Sequence, residues 1–72
     1  MPFFMAELER EDDGRWIAEI PALPGVMSYG STKQSALRRA YAVALRTLAD
    51  TVEGGTIPSP LVSFFGYGMA RR

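Results

Sequence analysis

The chain of 72 residues has a formal net charge of zero, from eight acidic and eight basic residues, which argues against electrostatic nucleic-acid binding by the domain as a whole. It contains neither cysteine nor histidine, so disulfides and thiolate metal sites are excluded, zinc, copper and haem lose their usual ligands, and no cofactor is expected. The apolar start is too short for a signal peptide, and no apolar run approaches the roughly 20 residues of a membrane helix, so a cytoplasmic protein without membrane contact is expected.

A chain of this length is predicted to form one domain, close to the lower limit at which a hydrophobic core sustains a fold without staples. We assign this domain to residues 1–65 and expect residues 66–72 to form a flexible tail. Small domains without disulfides or metals commonly gain their final stability by association. A homodimer or a complex with another protein is therefore expected.

Two strands joined by a tight hairpin are predicted at the start of the chain. Apolar residues alternate with a period of two over residues 3–10 and again over residues 15–20. Between them, Asp12, Asp13 and Gly14 form a three-residue loop in which Gly14 takes the left-handed conformation. This loop places the apolar residues of both strands on one face, whereas a four-residue loop would scatter them. The predicted pairs are Arg10 with Trp16, Leu8 with Ala18, Ala6 with Ile20, and Glu7 with Glu19.

A proline-bounded bend leads from the second strand into a short third strand. Pro21 and Pro24 end the second strand because neither can donate a ladder hydrogen bond, and Gly25 permits the chain to reverse. The third strand is predicted over residues 26–29, and Gly30 follows it immediately before a helix start.

One long helix is predicted over residues 33–52. Two capping boxes are possible at its start, Ser31 with Gln34 or Thr32 with Ser35, and the first has the better partner residue. Apolar residues recur at helical spacing and predict the buried stripe of this helix. They are Leu37, Ala40, Tyr41, Ala44, Leu48 and Val52.

The predicted fold belongs to the α+β class. Gly54 and Gly55 end the helix, and residues 61–65 are predicted to form a fourth strand. The predicted order is therefore β-β-β-α-β, a small antiparallel sheet with one helix packed on one face.

Three glutamates, Glu7, Glu9 and Glu19, are predicted on the sheet face opposite to the helix, with Asp12 and Asp13 in the adjoining turn. The simplest interpretation is a solvated face with turn residues chosen for their conformation. The functional interpretation is a docking surface, because a cationic side chain of a partner would relieve the repulsion between the opposed Glu7 and Glu19. A third interpretation is a two-metal nuclease, but such a site needs three or four converging carboxylates, and the helix supplies none towards this face.

Apolar residues on the same face indicate that another chain covers it. Phe3, Met5 and Ile17 lie beside the glutamates, and a single helix cannot cover both sides of a sheet. We assign Phe3 and Met5 to dimerisation and Ile17 to partner binding. The single tryptophan, Trp16, is expected in the core.

The predicted helix carries three arginines, Arg38, Arg39 and Arg46. They are either exposed charges without a specific role or a basic patch that meets an acidic partner or nucleic acid. No interleaved aromatic residues support stacking of nucleobases. Direct DNA binding is therefore not expected.

The order and spacing of several short motifs resemble the HicB-like antitoxin family over about residues 3–60. These motifs are a D-G-x-W turn and strand, a P-x-L-P-G bend, a G-x-T helix start and an I-P-x-P segment. The matching residues are Asp13, Gly14, Trp16, Pro21, Leu23, Pro24, Gly25, Tyr29, Gly30, Thr32, Ala36, Ile57, Pro58 and Pro60. The resemblance implies a β-β-β-α-β domain likened to a partial RNase H fold.

The same resemblance implies a non-catalytic function, in which the domain binds and blocks HicA, a small, basic, double-stranded-RNA-binding-like toxin that cleaves mRNA. Such a toxin would suit the predicted acidic face. The chain departs from the family at Lys33, Gln34 and Ser35, where members commonly have glutamates.

A second departure concerns DNA binding. Many members of the family continue into a DNA-binding domain, and these 72 residues leave no room for one. A solitary HicB-type domain without operator binding is therefore expected. The alternative is a stand-alone inhibitor or adaptor that uses the same fold against a different, phage or host, nuclease complex.

Overall fold

The structure is a computed structural model that describes residues 4–70. Its elements, in chain order, are β1 (Glu7–Arg10), β2 (Trp16–Glu19), β3 (Met27–Gly30), α1 (Lys33–Glu53) and α2 (Ser59–Phe64). The three strands form one antiparallel sheet with β2 in the centre. The predicted α+β class is confirmed, whereas the fourth strand is wrong because a second helix stands in its place.

The β1–β2 hairpin has the predicted register because its loop has three residues. The paired residues are Glu7–Glu19, Leu8–Ala18, Glu9–Ile17 and Arg10–Trp16. The Glu11 backbone N–H donates to the Arg15 carbonyl oxygen at 2.7 Å, which closes the loop. Gly14 has a φ of +89°, a left-handed conformation that costs other L-residues about 1–2 kcal/mol.

Two consecutive reverse turns form the bend between β2 and β3. The Leu23 N–H donates to the Ile20 carbonyl at 2.9 Å, and the Val26 N–H donates to the Leu23 carbonyl at 3.0 Å. In the second turn Pro24 is followed by Gly25 with a φ of +83°, the pattern of a type II turn. The bend closes with the Ile20 N–H donating to the Val26 carbonyl at 3.0 Å, so β3 returns antiparallel beside β2.

Thr32 caps the start of α1. Its hydroxyl accepts the Ser35 backbone N–H at 3.0 Å, and the Ser35 hydroxyl accepts the Thr32 backbone N–H at 3.1 Å. This reciprocal pair is a capping box, with Thr32 in the extended conformation that an N-cap requires. The preferred box of Ser31 with Gln34 is therefore wrong, because the helix starts one residue later than that pairing needs.

The core lies between α1 and one face of the sheet. Ala18, Ile20 and Val26 are buried on the sheet side. The buried residues of α1 recur at intervals of four and are Ala36, Ala40, Ala44 and Leu48. Three of these four are alanines, whose short side chains allow the helix to approach the sheet closely. Tyr41 and Val52 were predicted in the buried stripe but are 48% and 40% exposed, because they lie on the flank of α1.

The second helix, α2, replaces the strand predicted over residues 61–65. Pro60 is the second residue of α2, a position whose missing N–H leaves no intrahelical hydrogen bond unmade. Leu61, Phe64 and Phe65 recur at helical spacing and line one groove beside α1. A short apolar run fits a strand and a helix equally well by its periodicity, so the sequence pattern alone did not distinguish the two.

Candidate functional site

The sheet face opposite to α1 carries the three predicted glutamates. Glu7 of β1 lies directly opposite Glu19 of β2, and Glu9 lies opposite Ile17 in the next row of the same face. Side chains alternate between the two faces of a strand, and the neighbouring residue Ala18 is buried under α1. The three glutamates therefore point away from the helix, and all three are exposed. We call Glu7, Glu9 and Glu19 the acidic face.

The charges of the acidic face repel one another. Directly opposed residues of antiparallel strands have Cβ atoms about 4.5–5.5 Å apart, and like charges at that distance destabilise the sheet. Residues 4–70 contain a single ion pair, which joins Arg15 to Asp13. No described cation therefore neutralises Glu7, Glu9 or Glu19.

Apolar side chains continue the rows of the acidic face. Ile17 lies in the centre of the sheet and is half-buried. On β3, Met27 lies opposite Glu19 and Tyr29 lies opposite Ile17, and both are exposed. Met5, predicted to take part in dimerisation, is also exposed, and Phe3 lies outside the described residues. The face thus combines exposed carboxylates with an apolar centre.

The two aspartates of the hairpin loop differ in their surroundings. The Asp13 carboxylate accepts the Arg15 backbone N–H at 3.0 Å and the Arg15 Nε–H at 2.7 Å. The backbone N–H contributes most, and with the Arg15 side chain it lowers the pKa of Asp13 despite some desolvation. The Arg15 guanidinium also lies 4.5 Å from the centre of the Tyr29 ring. Asp13 is thus held by its own loop, while Asp12 is exposed at the tip of the hairpin.

The three arginines of the predicted basic patch lie on α1 and are exposed. Arg39 donates from a guanidinium nitrogen to the Tyr29 carbonyl oxygen at 3.1 Å, so it ties the helix to β3. Arg46 follows Arg39 by two helical turns on the same side of α1, whereas Arg38 is rotated by about 100° from Arg39. The structure therefore does not bring Arg38, Arg39 and Arg46 together on one surface.

The remaining motif residues have structural surroundings. Trp16 packs against the buried alanines of the core, and the cationic groups of Arg10 and Lys33 lie 5.8 and 5.2 Å from its ring centre. Gly30 is buried where β3 approaches α1 most closely, since a Cβ at this position would meet backbone atoms of Ala36. Pro21, Pro24, Gly25 and Thr32 form the bend and the helix cap described above.

No group of three or more carboxylates within residues 4–70 has an arrangement that could hold a metal ion. Over the same residues, neither helix combines the length and the apolar character needed to cross a membrane.

A second surface, not predicted from the sequence, lies on the helical side of the molecule. Phe64, Phe65, Tyr67 and Met69 are between 71% and 99% exposed. Two signals in the sequence point to it: the helical spacing of Leu61, Phe64 and Phe65, and the absence of any charged residue from 54 to 70.

Comparison of the chain with protein-family models, with curated proteins and with solved structures found no match. The resemblance to HicB-like antitoxins therefore stays a prediction that the motifs of the sequence support.

Proposed function

We propose that this chain is a non-catalytic binding module of the antitoxin type, which neutralises a HicA-type, mRNA-cleaving toxin by covering its active site. The proposal combines the resemblance to HicB-like antitoxins with one observation, the opposed pair Glu7–Glu19 beside Glu9 on a face that α1 leaves uncovered. The acidic face is the surface that docks onto the toxin.

The charge of the acidic face supports this choice of partner. An enzyme that cleaves RNA must attract phosphates, so its active site is electropositive. The sheet holds the backbone positions of these carboxylates in one register, so their negative charge is concentrated on one face. Cationic side chains of the toxin would attract these carboxylates and would also relieve the electrostatic repulsion between Glu7 and Glu19. Both effects favour binding.

The apolar residues of the same face support a protein rather than a nucleic acid as the ligand. Ile17 is half-buried at the centre of the face, and Met27 and Tyr29 are exposed beside it. Protein interfaces combine an apolar and aromatic centre with a charged, solvated rim. Ile17 and Tyr29 supply such a centre, and the glutamates supply the rim.

A tagged pull-down from the native cell, followed by mass spectrometry, identifies the partner. A small, basic, RNA-binding protein recovered in stoichiometric amount is the expected result. Recovery of a large nuclease assembly instead would support the alternative of a stand-alone inhibitor or adaptor. Recovery of the chain alone would contradict the antitoxin proposal.

Charge reversal then tests whether the acidic face is the docking surface. Replacing Glu7, Glu9 and Glu19 together by lysine keeps the like-charge opposition within the sheet, so the stability of the fold should change little. The affinity for the partner should fall about a hundredfold or more, because like charges opposed across an interface cost several kcal/mol.

A matched control makes the result specific. Asp50 and Glu53 are exposed carboxylates on α1, away from the acidic face, and their replacement by lysine should leave the affinity within about twofold. An equal loss in both variants would indicate only a response to net charge. An unchanged affinity in the triple variant would remove the acidic face as the docking surface.

A further inference from the structure

The C-terminal part of the chain presents an apolar surface that its own domain does not cover. We call residues 57–70, which comprise α2 and the segments on either side of it, the C-terminal arm. Its three most exposed aromatic side chains are Phe64, Phe65 and Tyr67, with exposed fractions of 71%, 72% and 99%. Residues 65–70 form no regular secondary structure and are all exposed. An apolar segment of this kind is uncommon on an isolated monomer.

The shape of the molecule agrees with an arm that leaves the body of the domain. The Cα radius of gyration is 15.3 Å, and the longest dimension is 59 Å. A compact domain of this length has a radius of gyration of about 11 Å. The apolar surface of the arm is therefore not buried by folding back onto its own sheet and helix.

An apolar groove of about 450 Å³ lies beside the arm. Its floor on α1 is formed by Tyr41, Leu45 and Leu48, which recur at helical spacing and so form one stripe along the helix. Leu45 is 67% exposed. The groove is continued by Ile20 and Ala44 from the body, and its other wall is formed by Leu61, Phe64 and Phe65 of the same chain's arm. We call this surface the arm groove.

The lining of the arm groove selects against small polar ligands. Sites for small molecules contain a few polar groups that fix the orientation of the ligand. The Tyr41 hydroxyl is the one polar side-chain group among the residues that line the arm groove in the described part of the chain. Such a surface is suited to apolar side chains of another polypeptide.

The absence of charge on the arm favours a second copy of this chain as that polypeptide. No acidic or basic residue occurs between Glu53 and Arg71, so two arms approach each other without the like-charge repulsion that opposes self-association. Each chain carries both an arm and an arm groove. In a two-fold symmetric pair, the arm of each copy can therefore contact the arm groove of the other, because such an interface uses the same surfaces of both copies.

The exposed apolar area is comparable to the area that a standard protein interface buries. An aromatic side chain buries about 150–250 Å², and an aliphatic one about 60–120 Å² by its transfer free energy. The exposed fractions of the three aromatic residues, with those of Leu45, Ile57, Val62 and Met69, correspond to about 500–950 Å² per chain. A standard protein interface buries about 800 Å² per partner.

We propose that two copies of this chain associate by reciprocal docking of the C-terminal arm of each copy into the arm groove of the other. The interface lies on the helical side of the molecule, so it leaves the acidic face on the opposite side of the sheet free. It also differs from a dimer formed through Met5 on the sheet side. This proposal does not depend on the proposed function, and the failure of one leaves the other intact.

Sedimentation velocity of the full chain at about 100 µM tests the proposal. The wild type should be a dimer. Tyr67→Asp in the arm and Leu45→Asp in the arm groove should each raise the dimer Kd at least tenfold. A dimer of either variant would bury two aspartates, one in each of its two arm–groove contacts. Both residues are largely exposed, so neither variant should unfold the domain, as circular dichroism of each variant verifies.

Mixing the two variants distinguishes reciprocal docking from other modes of association. Within the mixed pair, the intact arm of the Leu45→Asp copy meets the intact groove of the Tyr67→Asp copy. One of the two contacts is thereby restored, and both introduced charges fall in the other contact, which a single buried charge already breaks. The mixture should therefore dimerise more tightly than either variant alone. Met5→Asp is the matched control and should leave the dimer Kd unchanged.

Three results would overturn the proposal. The first is a monomeric wild type, including one that instead binds neutral lipid vesicles through the arm. The second is a dimer that survives Tyr67→Asp but is lost in Met5→Asp. The third is a mixture that is no more dimeric than the separate variants.

Discussion

Replacing Gly30 by alanine tests the closest approach between β3 and α1. A Cβ added at Gly30 would meet the Ser35 hydroxyl oxygen and the Ala36 backbone nitrogen, and it would lie 2.9 Å from the Ala36 Cα. The Ser35 side chain can rotate away only by leaving the capping box with Thr32. The Ala36 atoms belong to the helix backbone and move only if the helix moves. Overpacking of this kind costs about 1–3 kcal/mol.

The alanine also restricts the unfolded chain, which offsets about 0.4–1 kcal/mol of that cost. The net loss should therefore lie between about 0 and 2.6 kcal/mol, with a central value of about 1.3 kcal/mol. In a domain of this size each kcal/mol lowers Tm by about 4–8 °C, so the central value corresponds to a fall of about 5–10 °C. The free energy of unfolding of a small domain is near the lower end of the usual range of about 5–15 kcal/mol. The loss expected for Gly30→Ala is therefore a large share of the total.

Thermal unfolding followed by circular dichroism at one fixed protein concentration measures this change. Gly54→Ala is the matched control, because Gly54 has a φ of −75° and a Cβ there would come no closer than 3.4 Å to another atom. Its free energy of unfolding should change by less than about 0.5 kcal/mol. If Gly30→Ala proved as stable as Gly54→Ala, the close packing of β3 on α1 would be refuted.

Two further predictions concern local contacts in the loops. Thr32→Ala should destabilise the domain by about 0.5–2 kcal/mol in urea unfolding because it removes the helix cap, whereas Ser31→Ala should have little effect. A larger loss for Ser31→Ala than for Thr32→Ala would show that Ser31 caps the helix. The pKa of Asp13 is lowered mainly by the Arg15 backbone N–H and further by the Arg15 side chain. The charged carboxylate therefore contributes stability above its unfolded pKa, and this contribution is lost as the pH falls through the lower folded pKa. An NMR titration should place the midpoint below that of an ordinary aspartate, and Arg15→Ala should restore only part of the shift, since it keeps the backbone N–H; complete restoration would contradict the assigned cause.

The hairpin shows how far local signals in the sequence reach. The alternation of apolar residues on both strands and the loop of Asp12, Asp13 and Gly14 were sufficient to predict the register. A shift by one residue would turn every side chain to the other face, so a single register satisfied the pattern. The acidic face followed from that register, because the positions of Glu7 and Glu19 depend on it alone.

The helix start and the helix face were only partly predictable. Two capping boxes, one beginning at Ser31 and one at Thr32, were compatible with the sequence, and only the path of the chain out of β3 selected Thr32. Tyr41 and Ala40 are adjacent in the sequence and differ by about 100° around the helix. Which of them is buried depends on how the helix is rotated over the sheet.

The amino-acid sequence alone determined the features that depend on neighbours within a few residues: the proline-bounded bend, the hairpin register and the extent of the long helix. Turn residues and periodicity act over such short distances, so their signals can be read in order along the chain. Only the tertiary structure decided that residues 61–64 form a helix, that Ala40 rather than Tyr41 is buried, and that the arm stays exposed. These features depend on which surfaces are already covered by other parts of the chain, and the spacing of residues in the sequence does not specify that.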